Sequence, residues 1–353
     1  MRLLILSPYP HGAAPSQRFR FEHYLPYLAE AGIGYKQLGF WDEETNAILY
    51  KPGLVFKKML GLAWGYARRV GMLWTATRYD YVLIHREVTP LGPPIFEFLL
   101  SRLLRKKIIY DFDDAIWLPN TSENNKIASG LKWHGKVRSI CKWAYKITPG
   151  NAYLADFARQ YNKKVEVLPT VVDTKYHHAS KKSGNSVLVI GWTGSHSTLP
   201  YLEPLVPVLR QLEQLYAFRF LVIADKNPNL PLDSFEFLPW NKNSEIEDLG
   251  RIDVGVMPLL DDQWAAGKCG FKAIQYLALG IPALVSPVGV NTQIVADGVN
   301  GYHCQSAADW YNNLEQLLRQ PALLTTMRQA AIEQIENQYS VKSSLAQFIN
   351  LFK

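Results

Sequence analysis

The sequence predicts an α/β protein of two Rossmann-like domains, each a doubly wound parallel sheet, and three observations predict it. At 353 residues the chain exceeds one ordinary small domain and can bury two cores of roughly 150 to 180 residues each. Short apolar runs recur with helix-length segments between them, the pattern of parallel strands joined by crossover helices. A polar, aperiodic stretch at residues 174–185 interrupts the series and reads as a linker. The expected domains are therefore residues 1–173 and 186–338, with 339–353 as a last helix. Two doubly wound sheets imply domains facing each other across a cleft, with ligands at the carboxyl ends of the strands.

Taken in order, residues 3–6 are a buried strand, followed by Pro8 and Pro10. Residues 18–31 form a helix ended by Gly32. Residues 81–85 and 107–112 are strands, and 146–148 and 165–169 complete the first sheet around a helix at 151–161. The second series opens with a strand at 186–192 that feeds the turn Thr193-Gly194-Ser195, then a helix at 199–216. Residues 219–224, 235–238, 254–257 and 283–286 read as strands. A helix at 272–279 stops at Gly280, with Pro282 just beyond it. The last helix spans 341–352.

Composition narrows the class. With 48% hydrophobic and 20% charged residues the chain is globular, without a disordered tract or a solenoid repeat. Residues 1–10 lack the apolar core of a secretory signal, and no run reaches the roughly 18 apolar residues that span a bilayer. Cys141, Cys269 and Cys304 are odd in number and scattered, which fits a reducing cytoplasm and gives no metal-ligand spacing. The formal charge of +7 favours anionic partners, and charge alone leaves phosphates, acidic lipids and nucleic acid open. Basic residues in 57–78 and 126–146 alternate with Trp64, Trp74, Trp133 and Trp143. That suits a face lying on an anionic membrane surface, though a solvated helix with its aromatics in the core reads the same.

The chemistry concentrates in residues 267–282. Gly267 and Gly270 ahead of a helix place backbone N–H groups and the positive end of its dipole at one point, and Lys268 and Lys272 add two full charges, so a diphosphate fits there. One turn onward, Gln275 can offer its amide to sugar or ribose hydroxyls. An ordinary capped helix with surface lysines would look alike. The Gly194-Ser195 turn reads as a phosphate cradle of backbone donors, with one glycine where a dinucleotide fingerprint has three. Asp113 and Asp114 end a strand and could orient or deprotonate an acceptor hydroxyl, or pair with Arg86 or Arg18. Trp240 could stack on a base or simply pack. His85 and Arg86 also end a strand.

The 267–282 stretch resembles the donor-binding segment of the family 4 glycosyltransferases of the GT-B fold, in a bacterial subgroup whose Lys-x-x-x-Lys pair Lys268 and Lys272 match. Gln275 and Gly267 stand where the wider family has two glutamates. Residues 15–20, 110–114, 191–195 and 287–289 with 297–301 resemble further segments of that subgroup in the same order. The resemblance implies a retaining transfer of a hexose from a nucleotide diphosphate sugar, without a metal and with no cofactor besides the donor. Donor contacts fall to Gly194, Ser195, Trp240, Gly267, Lys268, Lys272 and Gln275, and the acceptor side to Arg18, Arg20, Arg86 and Asp111. Asp113, Asp114, Lys268 and Lys272 are the catalytic candidates. Many relatives carry an Arg and a Lys in the loop after residue 192; these are missing here, so charge neutralisation rests on Lys268 and Lys272.

By the same resemblance the last helix returns to the first domain. The acceptor is then a glycan or lipid-linked chain of bacterial surface polysaccharide, met at the inner membrane face, and nucleic acid is not a partner. Two rival readings stand beside this one. The two missing carboxylates suggest a catalytically silent nucleotide-sugar binding protein. The Asp111-Phe112-Asp113 pattern suggests a metal-dependent transferase of the GT-A fold, which the second α/β domain opposes.

Overall fold

Leu3, Leu4, Ile5 and Leu6 are completely buried, as a strand covered by helices on both faces requires. They form most of β1 (Arg2–Ser7), the first strand of a sheet completed by β2 (Gly34–Gly39), β3 (Tyr81–His85), β4 (Lys107–Phe112) and β5 (Lys146–Pro149). The order is β2-β1-β3-β4-β5 and every pair is parallel. This computed structural model describes residues 1–119, 132–176 and 187–353. They divide into two compact units, Met1–Thr170 with Ser344–Lys353, and Val171–Ser343. Residues 177–185 of the expected linker and 126–131 of the second basic segment lie outside the described residues.

The amino-terminal unit departs from expectation in three places, each for a local reason. The helix expected at 18–31 is broken into Pro15–Arg20, a 3-10 turn at Glu22–Tyr24, and Leu25–Glu30. Pro26 has no N–H to continue the ladder. The strand expected at 165–169 runs beside β5, with the Glu166 and Leu168 amides donating to the Ile147 and Pro149 carbonyls, but forms a single bridge, Ile147 with Val165, and no full strand. On its outer side Gln347 Nε2 donates to the Val167 carbonyl at 2.9 Å and the Arg20 guanidinium to that of Leu168, so side chains stand where a further strand would pair. β2, not foreseen, is a half-exposed edge with few apolar residues.

The last helix, Val341–Asn350, packs its Phe348 ring on Tyr24, centroids 4.2 Å apart and the ring planes nearly parallel. The Tyr24 hydroxyl also bonds to Ser344 Oγ at 2.7 Å. These contacts belong to the amino-terminal unit.

The carboxyl-terminal unit holds β6 (Leu188–Gly194), β7 (Phe218–Ala224), β8 (Phe235–Pro239), β9 (Val254–Met257), β10 (Ala283–Val285) and β11 (Gly301–His303). They run β11-β10-β9-β6-β7-β8, all parallel. Counted from β6 this is the 3-2-1-4-5-6 order of dinucleotide-binding sheets, whose strand order reverses between β6 and β9. Trp192, Phe220, Val222 and Val256 fill the core against the flanking helices. The helix expected at 199–216 begins as a 3-10 segment, His196–Leu205, and becomes α-helical only at Val206–Glu213. Pro200 and Pro204 each remove an α-type hydrogen bond from the first part.

Phe348→Ala should cost about 3–5 kcal/mol, the range for a buried aromatic truncated to alanine, read as a lowered urea midpoint. A change under about 1 kcal/mol would show that the last helix does not contribute to the amino-terminal core.

Candidate active site

In an open α/β sheet the strand order reverses at one point, and the helices on either side of it diverge to leave a crevice beyond the strand ends. In the carboxyl-terminal unit that point lies between β6 and β9. β6 ends at Gly194, and the chain after β9 leads through the short helix Gln263–Ala266 to the helix Phe271–Ala278. Asp262 caps the first of these helices by accepting from the Ala265 amide at 2.7 Å. The second starts at Gly270, in the left-handed region at φ +65°, a conformation suited to glycine.

Tyr276 ties this helix to the strand ends. Its hydroxyl accepts from the Thr193 amide at 2.9 Å, and its ring lies over Gly255 of β9, where an added Cβ would sit 2.4 Å from the ring. Burial pushes the phenol well above its ordinary pKa, so it stays a neutral hydroxyl. Lys272 is thereby brought back to β6, its Nζ 5.3 Å from the centre of the Trp192 ring. Lys268 Nζ lies 5.8 Å from the Tyr201 ring and 6.0 Å from that of Trp264, so it too faces the segment that follows β6. Both lysines are half-buried. The structure thus gathers Gly194, Lys268 and Lys272 at one switch point, and Gly267 is buried. The organising residues Tyr276, Trp192 and Tyr201 were not foreseen. Tyr276 stood inside the motif but, as one apolar helical position among several, carried no separate signal.

Other expected donor residues are placed differently. The Ser195 amide donates to Thr198 Oγ1 at 3.2 Å and the His196 amide to Asp225 Oδ1 at 2.6 Å. The expected cradle of main-chain donors is therefore filled by side chains, which satisfy the first amides of the 3-10 segment as caps do. Asp225 also accepts from His196 Nδ1 at 2.6 Å, a pairing the sequence pattern did not suggest. Trp240 is half-buried and donates from Nε1 to Glu245 at 3.3 Å. Gln275 is buried, and its Nε2 has no hydrogen-bond partner among the described residues.

In the amino-terminal unit the expected acceptor side separates into two groups. Arg20, His85 and Asp111 are all buried. Asp111 accepts from the Arg20 guanidinium at 2.6 Å, from Thr148 Oγ1 at 3.0 Å and from His85 Nδ1 at 2.7 Å. Arg20 also donates to the Thr148 carbonyl at 3.0 Å. Burial alone would raise the Asp111 carboxyl, but the Arg20 charge and the His85 hydrogen bond outweigh it and hold the pKa at about 2. Arg20, His85 and Asp111 are thus a core network and not an acceptor surface, which corrects that expectation. Both Asp111 oxygens are engaged within this network.

Arg86, Asp113 and Asp114 are more open. Arg86 stands just after β3 in the left-handed region at φ +61°, a conformation that strains a non-glycine residue. Its guanidinium bonds Asp113 Oδ1 at 2.8 Å and also Asp114 Oδ2. Burial raises the Asp113 carboxyl less than the Arg86 charge lowers it, so its pKa falls below the ordinary value. A carboxylate stabilised in this way is a weaker proton acceptor than a free one. Arg18 is half-buried and lies over the Phe19 ring at 4.9 Å.

With this geometry established, residues 186–320 match the model of the family described as glycosyl transferases group 1. This stretch is a group 1 glycosyltransferase domain. The full chain has the GT-B fold, and its likeness to solved structures extends from end to end. A glycosyltransferase from Rickettsia africae ESF-5 superposes with a TM-score of 0.71 at 14% identity, covering 100% of this chain and 97% of that one. A sucrose-phosphate synthase from Thermosynechococcus elongatus gives 0.71 at 12%, covering 100% and 98%. HepE from Anabaena, solved with UDP and glucose, gives 0.67 at 13%, covering 99% of each. No curated protein matches the chain. The lysine pair stands inside the glycosyltransferase domain, and the Arg20 network outside it.

Because the folded pKa of Asp111 lies below the ordinary 3.8, its contribution to stability is complete above about pH 4 and is lost as pH falls toward 2, roughly 2–3 kcal/mol in all. Asp111→Asn should lower stability at neutral pH by about 3–5 kcal/mol, by leaving the Arg20 charge buried without its partner, and should flatten that acid dependence. Urea melts at pH 6, 4 and 2.5 on both proteins measure it; an unchanged slope in the variant would refute the assignment.

Proposed function

We propose that this protein is a retaining, metal-independent transferase that moves a hexose from a nucleotide diphosphate sugar to a glycan or lipid-linked acceptor of bacterial surface polysaccharide. The observation that carries the reading is the pair Lys268 and Lys272, held at the switch point of the carboxyl-terminal sheet by the Tyr276 contacts with β6 and β9. In the reaction the bond from the sugar C1 to the diphosphate breaks, and a bond from C1 to the acceptor oxygen forms on the same face. The acceptor proton leaves with the nucleoside diphosphate, and the transition state resembles an oxocarbenium ion. Negative charge grows on the departing diphosphate, so the groups that matter most are cations already fixed beside it.

Two ammonium groups and the positive end of the helix Phe271–Ala278 supply that charge. This is why no metal is assigned. The UDP and glucose bound by HepE support a nucleotide sugar as donor for a chain of the same fold. Acceptor contacts are assigned to Arg18, Arg86, Asp113 and Asp114, with the two carboxylates orienting a hydroxyl. The expected site of action is the cytoplasmic face of a membrane, where lipid-linked acceptors are met. Among the described residues no helix is long and apolar enough to cross a membrane.

A second reading, a binding protein without turnover, is favoured by Gln275, whose buried amide stands where related chains carry a carboxylate. Lys268→Ala and Lys272→Ala should each weaken UDP-sugar binding and slow turnover about 10- to 100-fold, the equivalent of one charge-assisted hydrogen bond. Thermal shift with UDP, GDP and ADP, followed by donor hydrolysis and transfer assays, measures both effects. Wild-type kinetics in both variants would overturn the site, and nucleotide binding without turnover of any donor would leave the silent protein. Activity should survive a strong chelator. The anomeric configuration of the product, read by NMR, should match that of the donor sugar.

A further inference from the structure

The helix Val55–Ala76 buries Gly61, Gly65, Arg69, Met72 and Ala76, a set spaced by three and four residues that forms one face. The opposite face of such a helix is ordinarily polar. Here Phe56 is 74% exposed and Trp74 76%, with Met59, Leu60, Trp64 and Val70 also exposed between them. The remaining exposed positions of this helix are Val55, Ala63, Ala67, Gly71 and Lys57, so a single charge interrupts an apolar outward face. The helix contains no acidic residue and carries Lys57, Lys58, Arg68 and Arg69. Arg69 is spent internally, on the backbone carbonyls of Ser7, Leu38 and Val88. The neighbouring turn Leu99–Leu103, which packs on this helix, exposes Leu103 beside Arg102 and Arg105.

We propose that this outward face inserts side-on into the surface of an anionic lipid bilayer. The inference rests on the membrane-peripheral reading above and gives it a surface. Twenty-two residues make a helix about 33 Å long, held on its inner face by Gly61 against Thr45, Gly65 against Phe40 and the Arg69 hydrogen bonds, so its outward face can lie flat on the bilayer. Trp64 and Trp74 carry amphipathic rings of the kind that settle at headgroup level, and the apolar side chains around them enter the acyl boundary. Arg68 is paired with Asp42 at 3.7 Å, and the cations left to complement acidic headgroups are Lys57 and Lys58 on the helix with Arg102 and Arg105 beside it. They also disfavour a second copy on the same face, because pairing two copies would bring like charges together.

Flotation of the full chain with vesicles of phosphatidylglycerol and phosphatidylcholine, and of phosphatidylcholine alone, tests the proposal. The wild type should float with the anionic vesicles and bind the neutral ones more weakly. The double variant Trp64→Ser, Trp74→Ser should lose at least about tenfold in vesicle affinity while keeping its UDP thermal shift, which reports that it is folded. Equal flotation of variant and wild type overturns the proposal, as does a wild type that ignores anionic vesicles. A wild-type dimer in sedimentation that the double variant abolishes also overturns it, by placing a second copy on the face. Donor turnover is read separately: a chain that floats but turns over no sugar nucleotide sinks the transferase reading and leaves the membrane face standing.

Discussion

The contact on which the candidate site depends is the one Tyr276 makes with the ends of two strands. Its hydroxyl receives the Thr193 amide, and its ring lies where Gly255 has no side chain. A buried phenol with a satisfied hydroxyl is held in position as well as in depth. The helix Phe271–Ala278 is thereby fixed against β6 and β9, and the lysine one turn before Tyr276 comes to rest beside Trp192. Without that anchor Lys268 and Lys272 would be two surface cations on a mobile turn. With it they are preorganised charge at a sheet's switch point, as the proposed stabilisation of a departing diphosphate requires.

Charge is used in two other ways in the same molecule. Arg20 and Arg69 are fully buried, and both spend their guanidinium groups on carbonyls or a carboxylate that would otherwise be orphaned. These are structural cations, and burial has removed them from any role toward a ligand. Arg86 is intermediate: it stays partly open and is held by two carboxylates in a strained backbone conformation. Strain of this kind persists only where surrounding contacts fix it, and it gives the carboxyl end of β3 a defined polar group.

Much of the fold was legible because burial on both faces writes apolar runs into a sequence. β3, β4 and β9 appear at the residues their runs mark. What was less legible had weaker signals. β2 is an edge strand with little apolar content, and the segments at 18–31 and 199–216 carry helical periodicity that Pro26, Pro200 and Pro204 interrupt. At the site, Lys268, Lys272 and the glycines were legible because glycines ahead of a helix, with lysines beside them, form a local pattern. Asp111 and Arg20 misled because a charged residue at a strand end reads alike whether it faces solvent or a partner 91 residues away in sequence.

The sequence by itself determined the two α/β series, the polar stretch near their join, and the segment that carries the lysine pair, since all of these rest on periodicity and local composition. Only the tertiary structure decided which charges are buried against each other, that the Ser195 and His196 amides are already taken by side chains, and that the apolar residues of the helix Val55–Ala76 point away from the core. Those outcomes depend on which distant segments meet, and a one-dimensional pattern records the chemistry of a side chain but not the neighbour that satisfies it.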